Sequence, residues 1–150
     1  MTQQPYNNLC WAATIATISN YVYGTSLTAY SVAQNIYHPS NIDQTLSASV
    51  AQSLMRDTYN LYYTYRDLEH SVSVILDNIT NDYPIYGIFE WSGSSHAVTN
   101  YGMNATGSRL MVMDPMCGSV TANLSDYGYS YIPSYLGQKL TLERVLWRYW

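Results

Sequence analysis

The hydrophobic pattern of this chain changes character at Pro84, and any fold must accommodate both halves. Before Pro84, apolar residues recur at helical spacing. The first predicted helix begins at Cys10 and stops at Gly24, and its apolar face carries Trp11, Ile15, Ile18 and Val22. After Pro84, short apolar and aromatic runs are typical of strands. Helices first and strands afterwards predict an α+β domain, with N-terminal helices packed on a C-terminal antiparallel β-sheet.

Three further helices are predicted in the first half. Thr28 is placed to cap the second helix, which ends before Pro39. The third would bury one face formed by Leu46, Val50 and Leu54. The fourth starts after Asp67, and its apolar face would consist of Leu68, Val72, Ile75, Leu76 and Ile79.

The second half contains the predicted strands. Residues 85–91 are almost wholly apolar, as expected of a central strand covered on both sides. Residues 96–101 and 110–113 form two more strands, joined by a turn over residues 104–107 with hairpin chemistry. Residues 129–132 and 140–150 complete the chain, and the last of these segments could be a strand or a helix.

Length and charge narrow the function classes. With 150 residues the chain is predicted to form one domain, residues 1–150. No stretch reaches the roughly 18 apolar residues of a membrane span. The net charge of −4 argues against nucleic acid as the main partner. Seventeen tyrosines and few charged residues favour a secreted or extracellular protein, the mature domain of a bacterial precursor.

The two cysteines allow one disulfide at most, between Cys10 and Cys117. Neither has a second cysteine or a histidine at metal-ligand spacing, and zinc needs three or four ligands. We therefore expect no metal and no cofactor. Cys117 has no assigned role, and a free thiol is expected there.

Cys10 lies in the first turn of the first predicted helix. Unpaired N–H groups and the helix dipole favour a thiolate there, although a lone cysteine is more often a buried structural residue. Gln4 lies six residues before Cys10 and can fold back beside the helix start. Its amide would then join the Cys10 backbone N–H in binding an oxyanion. Gln3 is one residue out of register.

His96 and Asp114 provide the other two groups that a cysteine nucleophile needs. His96 follows the flexible segment 92–95 and is predicted to open a strand, unlike His38 and His70, which fit helix ends. Folding the hairpin about residues 104–107 brings His96 opposite residue 114 or 115. A carboxylate there can accept the imidazole N–H and fix which ring nitrogen faces the thiol, although Asp114 before Pro115 is also typical of a turn.

Together these motifs resemble a known family. Gln4-x5-Cys10-Trp11-Ala12 resembles the nucleophile motif of papain-like cysteine peptidases, with the same spacing from glutamine to cysteine. Residues 96–98, a glycine turn and residues 112–115 resemble the second half of bacterial members. These are the staphopain-like enzymes, the type III effector peptidases and the bacteriocin-processing (C39-like) peptidases. Papain itself has asparagine where this chain has Asp114. Leu9-Cys10-Trp11 also differs from the Asp-Cys-Gly of bacteriocin-processing enzymes, so cleavage after a double-glycine leader is not implied.

The resemblance implies a papain-like fold and peptide-bond hydrolysis by a Cys-His-Asp triad of Cys10, His96 and Asp114, with Gln4 in the oxyanion hole. The expected partner is a peptide or protein substrate, with a propeptide or an inhibitor protein as further candidates; the oligomeric state is open. Two alternatives stay open. The same triad serves acyltransferases and amidases, and a catalytically silent peptide-binding domain could keep the fold.

Overall fold

The computed structural model describes residues 7–67 and 72–148. Within these ranges the helices are α1 (Cys10–Tyr23), α2 (Ala29–Ala33), α3 (Ala48–Tyr59) and α4 (Val72–Thr80), with a 3₁₀ turn at Pro39–Asn41. The strands are β1 (Tyr63–Asp67), β2 (Ile85–Trp91), β3 (Ser94–Met103), β4 (Arg109–Asp114), β5 (Gly118–Ser125), β6 (Gly128–Tyr131) and β7 (Leu140–Arg148). The described chain is therefore α+β.

The ends of α1 and α2 follow from local chemistry. Gly24 ends α1 in the left-handed conformation, with φ of 64°, which glycine adopts without a Cβ penalty. Thr28 caps α2 by accepting a hydrogen bond from the backbone N–H of Ser31. Both signals were predicted and both are confirmed. The helix α2 is shorter than expected and ends at Ala33.

All strand pairs of the described sheet are antiparallel. Consecutive strands from β2 to β6 pair with their neighbours, and β7 returns to pair with β2 along one edge. The other edge of β7 pairs with β6 at Leu140 and Thr141, and with β1 from Arg144 onwards. Strands β2 to β7 consequently close into a barrel, and β1 extends it outside.

Two apolar clusters lie on opposite faces of β2. Tyr86 and Ile88 pack with α1, α2 and α3 in the outer cluster. Ile85 and Phe89 point the other way, into the barrel, where they meet Val98 and side chains of β4, β6 and β7. Because successive strand residues face opposite sides, the fully buried part of β2, residues 85–89, needs apolar or small residues at every position. This explains the continuous apolar run, and the predicted central strand is confirmed.

Several predicted elements differ from the structure. The strand β1 interrupts the half that was predicted to be helical, and β5 was not predicted. Both are rich in Thr, Tyr, Ser and Asn and carry many exposed residues, so their apolar signal is weak. The last segment, left open between strand and helix, is the strand β7 through Arg148.

The predicted faces of α3 and α4 are partly wrong. Ser47 caps α3, so Leu46 precedes the helix; Val50 is 41% exposed, and the buried positions are Ala51, Leu54 and Met55. In α4, Leu76 faces outward whereas Ile75 and Asn78 are buried. Leu68 lies outside the described residues. None of the helices in the described ranges is long and apolar enough to cross a membrane.

Candidate active site

Cys10 is the first residue of α1. Leu9 before it has a non-helical conformation, and no described side chain caps the helix. The first N–H groups of a helix have no intrahelical acceptor and carry the positive end of the helix dipole. The Cys10 side chain is therefore close to donors that favour its thiolate form.

The loop before Cys10 is tied to the segment between α2 and α3. The backbone N–H of Asn8 donates to the Asp43 carboxylate at 2.8 Å, and its side-chain amide donates to the Asp43 carbonyl at 3.3 Å. On the other side of Cys10, the Trp11 indole donates to the Gln44 carbonyl at 2.9 Å. Trp11 is buried, as predicted for a core residue. These contacts fix the start of α1.

His96 lies on β3 with only 6% of its surface exposed. Its Nε2 atom is 2.8 Å from Oδ1 of Asp114. The imidazole and the Cys10 side chain border the same cleft and interact electrostatically, and Nδ1 is the ring nitrogen that does not face Asp114. The structure therefore brings Cys10, His96 and Asp114 into one connected chain of side chains.

The carboxylate of Asp114 is fully buried at the end of β4 and accepts four hydrogen bonds. Oδ1 accepts from His96 and from the backbone N–H of Met116, both at 2.8 Å. Oδ2 accepts from the hydroxyls of Tyr131 at 2.7 Å and Tyr135 at 3.0 Å. Each oxygen has two donors, so burial of this charge is compensated.

The contact between His96 and Asp114 arises differently from the prediction. The turn before β3 is limited to Ser92 and Gly93, so His96 is the third residue of the strand and not the first. The pairing of β3 with β4 also shifts between Asn100 and Gly102, because Tyr101 bulges out. His96 is thus not directly opposite residue 114 or 115; the side chains meet diagonally.

The electrostatics of these three groups are coupled. Burial alone would raise the pKa of the Cys10 thiol, but the hydrogen bond and charge of His96, with backbone N–H groups of Ala97 and Trp11, lower it below its usual value. Burial disfavours the imidazolium, yet Asp114 and Cys10 raise the pKa of His96 to about 9. Burial likewise disfavours the Asp114 carboxylate, but His96, Met116 and Tyr131 lower its pKa to about 2. The pair therefore favours the imidazolium at neutral pH and makes the Cys10 thiol easier to ionise than an ordinary cysteine.

Cys10 and His96 open onto a cleft with a volume of about 740 Å³. The start of α1 and the segment before α3 form one wall. Strands β2 and β3, with Tyr135, form the other wall. A volume of this order accommodates a short stretch of peptide.

Residues 1–131 match the family described as papain-like cysteine protease AvrRpt2. The chain belongs to this bacterial family. It is accordingly an enzyme of the cysteine-peptidase type. The search of curated proteins finds none that matches the chain.

Other residues of this papain-like protease were singled out from the sequence. Gln4 and His70 lie outside the described residues. His38 accepts a hydrogen bond from the Ser40 N–H at the 3₁₀ turn and is not among the residues that line the cleft. Cys117 is an exposed free thiol next to Asp114 and forms no disulfide with Cys10. Burial and the neighbouring carboxylate raise its pKa to about 11.

Sequence reasoning missed Tyr131 and Tyr135, which complete the shell of Asp114. The chain contains seventeen tyrosines, and no motif marks these two. The residues also missed include Arg144, which borders the cleft and pairs with Glu90. Among residues 7–67 and 72–148, no cluster of three or more His, Cys, Asp and Glu side chains could hold a metal ion.

Proposed function

We propose that this papain-like cysteine protease hydrolyses peptide bonds with Cys10 as nucleophile, His96 as acid and base, and Asp114 as the group that orients His96. The arrangement would be papain-like, with the nucleophile at a helix start facing a histidine on the sheet. One observation carries the proposal. The thiol at the first residue of α1 shares one cleft with a buried histidine, and Nε2 of that histidine meets a buried carboxylate at 2.8 Å.

The first half of the reaction forms an acyl-enzyme. The Cys10 thiolate attacks the carbonyl carbon, a C–S bond forms, and the C=O electron pair moves to oxygen. The tetrahedral intermediate then expels the amine, which takes its proton from the His96 imidazolium. A water molecule gives a proton to His96 and attacks the thioester, and the C–S bond breaks to release the acid.

The oxyanion of the intermediate needs donors beside Cys10. We propose the backbone N–H of Cys10 as one, because the first N–H groups of a helix have no acceptor within the helix. We propose Gln4 as the second donor, on the basis of its spacing from Cys10. Removing one such donor typically lowers kcat by about 10²-fold to 10³-fold.

The proposed substrate is a peptide segment that lies along the cleft between α1 and the sheet. We also propose that the enzyme acts outside the cell that makes it, since its family consists of bacterial effectors. A propeptide or an inhibitor protein would occupy the same cleft as the substrate.

A proteome-derived peptide library tests the proposal, because it offers the enzyme many different cleavage sites at once. The purified protein should generate new N-termini, which mass spectrometry counts. Cys10→Ala should reduce that count to background while the thermal unfolding temperature stays close to that of the parent protein. Cys117→Ala is the matched control for loss of a thiol and should retain cleavage. Undiminished cleavage by Cys10→Ala would reject Cys10 as the nucleophile.

A further inference from the structure

Two tyrosine hydroxyls donate to the same oxygen of Asp114. Tyr131, on β6, is buried and packs edge-on against Phe89 with ring centroids 5.1 Å apart. Tyr135, in the connection between β6 and β7, is 41% exposed and borders the cleft. Its ring also meets the His96 imidazole edge-on, with centroids 6.1 Å apart. Both tyrosines therefore touch the groups that hold the His96 proton, although neither belongs to the proposed triad.

The two carboxylate oxygens of Asp114 accept hydrogen bonds from different groups. Oδ1 accepts from His96 and the Met116 N–H, whereas Oδ2 accepts from the two hydroxyls. A carboxylate that is held at both oxygens cannot rotate about its Cβ–Cγ bond without breaking a hydrogen bond to a charged acceptor. The hydroxyls also draw negative charge toward Oδ2 and away from the oxygen that faces His96.

We propose that Tyr131 and Tyr135 are positioning residues that share the charge of Asp114 and thereby control how tightly His96 holds its catalytic proton. This inference rests on the proposed function, because it acts through His96 as the acid that protonates the leaving amine. Asp114 without these donors would bind the imidazolium more strongly. His96 would then be a weaker acid, and expulsion of the amine would slow.

The protonation states of the surrounding groups are consistent with this role. The titratable side chains around Asp114 in the described structure are His96, Tyr131, Tyr135 and Cys117, with Cys10 beyond His96. Burial and the charge of Asp114 raise the pKa of both tyrosines well above the usual tyrosine range. Both hydroxyls therefore stay protonated and remain donors throughout the working pH range.

Tyr135→Phe tests the inference because it keeps the ring against His96 and the cleft wall and removes only the hydroxyl. Tyr23→Phe is the matched control. Its hydroxyl donates to a backbone carbonyl, that of Asn60, at 2.7 Å, and it lies at the far end of α1, about 20 Å along the helix from Cys10. The substrate is the best-cleaved peptide of the library described above. Steady-state kinetics are measured from pH 5 to 10.

In Tyr135→Phe we expect kcat to fall about three- to tenfold with KM little changed, because one hydrogen bond to a charged group is lost. The basic limb of the profile of kcat against pH should move up by about 0.5 to 1 pH unit. Nitrogen NMR of the His96 ring, one of three histidines, should show the same rise of its pKa above about 9. A folded double variant, Tyr131→Phe with Tyr135→Phe, should show a larger fall in kcat and a larger upward shift of the basic limb. Tyr23→Phe should match the parent protein.

A basic limb and a His96 pKa that are unchanged in Tyr135→Phe would overturn the inference. A shift of both to lower pH would also overturn it, since the hydroxyl would then merely keep the carboxylate in contact with the imidazole. The proposed function fails separately: cleavage by Cys10→Ala would reject it. An inactive Cys10→Ala variant beside a Tyr135→Phe variant with the parental profile would reject only the role of the tyrosines.

Discussion

Cys10 and Cys117 carry the same side chain but lie in opposite electrostatic surroundings. Cys10 faces an imidazolium and backbone N–H groups at a helix start, and its pKa is lowered. Cys117 lies beside the Asp114 carboxylate, and its pKa is raised to about 11. The less exposed thiol is therefore the more easily ionised one.

This difference predicts selective alkylation. At pH 6, iodoacetamide should modify Cys10 at least about tenfold faster than Cys117, because the thiolate is the reacting form. Peptide mass spectrometry after timed quenching measures both rates in one sample. His96→Ala should slow modification of Cys10 and leave Cys117 unaffected. Equal rates for the two thiols in the parent protein would contradict the proposed ion pair of Cys10 and His96.

The proposed oxyanion donor can be separated from its neighbour. Gln4→Ala should lower kcat by about 10²-fold with KM nearly unchanged, because the contact forms mainly in the transition state. Gln3→Ala is the control, since its register relative to Cys10 differs by one residue. A larger loss in Gln3→Ala than in Gln4→Ala would reassign the donor.

At the scale of residues, the sequence indicated which side chains carry reactive groups and which hairpin brings two of them together. It did not indicate Tyr131 and Tyr135. Their hydroxyls reach Asp114 because β6 and the connection after it return to the end of β4, and sequence spacing does not encode this long-range return. Tyrosine also occurs both in cores and on surfaces, so its presence in a sequence does not indicate which hydroxyls reach a buried carboxylate.

Among the elements, β2 has a position where the barrel leaves no room for a side chain. A Cβ on Gly87 would lie 2.5 Å from Nδ2 of Asn100, whose side chain is fully buried. Within the described structure, neither polar atom of that amide has a hydrogen-bond partner. Gly87 and Asn100 therefore fit together as a pair inside the barrel.

Gly87→Ala should reduce the free energy of unfolding by about 1 to 3 kcal/mol, the usual cost of overpacking. Gly102→Ala is the comparison, because its Cβ would meet the Sδ atom of Met111, a flexible side chain that is 40% exposed. Urea denaturation measures both. Asn100→Ala should remove most of the additional cost of Gly87→Ala. An equal loss in the Gly102 and Gly87 variants would show that the buried amide does not matter.

The helices and strands that could be predicted are those whose buried residues form a clear apolar pattern in the sequence. The run from Ile85 to Trp91 and the apolar face of α1 gave strong signals, because residues 85–89 are all buried and the apolar residues of α1 recur at helical spacing. The strand β5 does alternate, but its inward positions Val120 and Ala122 carry small side chains, so its apolar signal is weak. The buried face of α3 was predicted wrongly because the helix begins only after its cap at Ser47. Apolar spacing alone does not show where a helix begins or which of its faces is buried.

For the whole molecule, the Asp114 carboxylate links stability to pH. Its pKa is about 2 in the folded protein against an ordinary value of 3.8. The contribution of Asp114 to the free energy of unfolding is therefore fully present above about pH 4 and is lost as the pH falls through about 2. Urea unfolding should show a loss of about 2 kcal/mol from this group over that interval, since each pKa unit corresponds to about 1.4 kcal/mol.

Asp114→Asn provides the reference for this measurement. Asparagine can still accept from His96, and it does not titrate in this range. Its unfolding free energy should decline less steeply between pH 4 and 2 than that of the parent protein, whatever its absolute stability. Parallel declines would mean that Asp114 does not have a lowered pKa in the folded state.

The return of β7 to three other strands has a consequence for the moment at which the enzyme first becomes active. On the ribosome, α1 and the hairpin with His96 and Asp114 emerge before β7. The pairing of Tyr63 with Arg148, however, must wait for the seventh strand of the described chain. Contacts between such distant residues form slowly, because a long loop must close first. We therefore expect a nascent chain to contain all the reactive groups but no finished cleft, with synthesis of β7 timing the appearance of proteolysis.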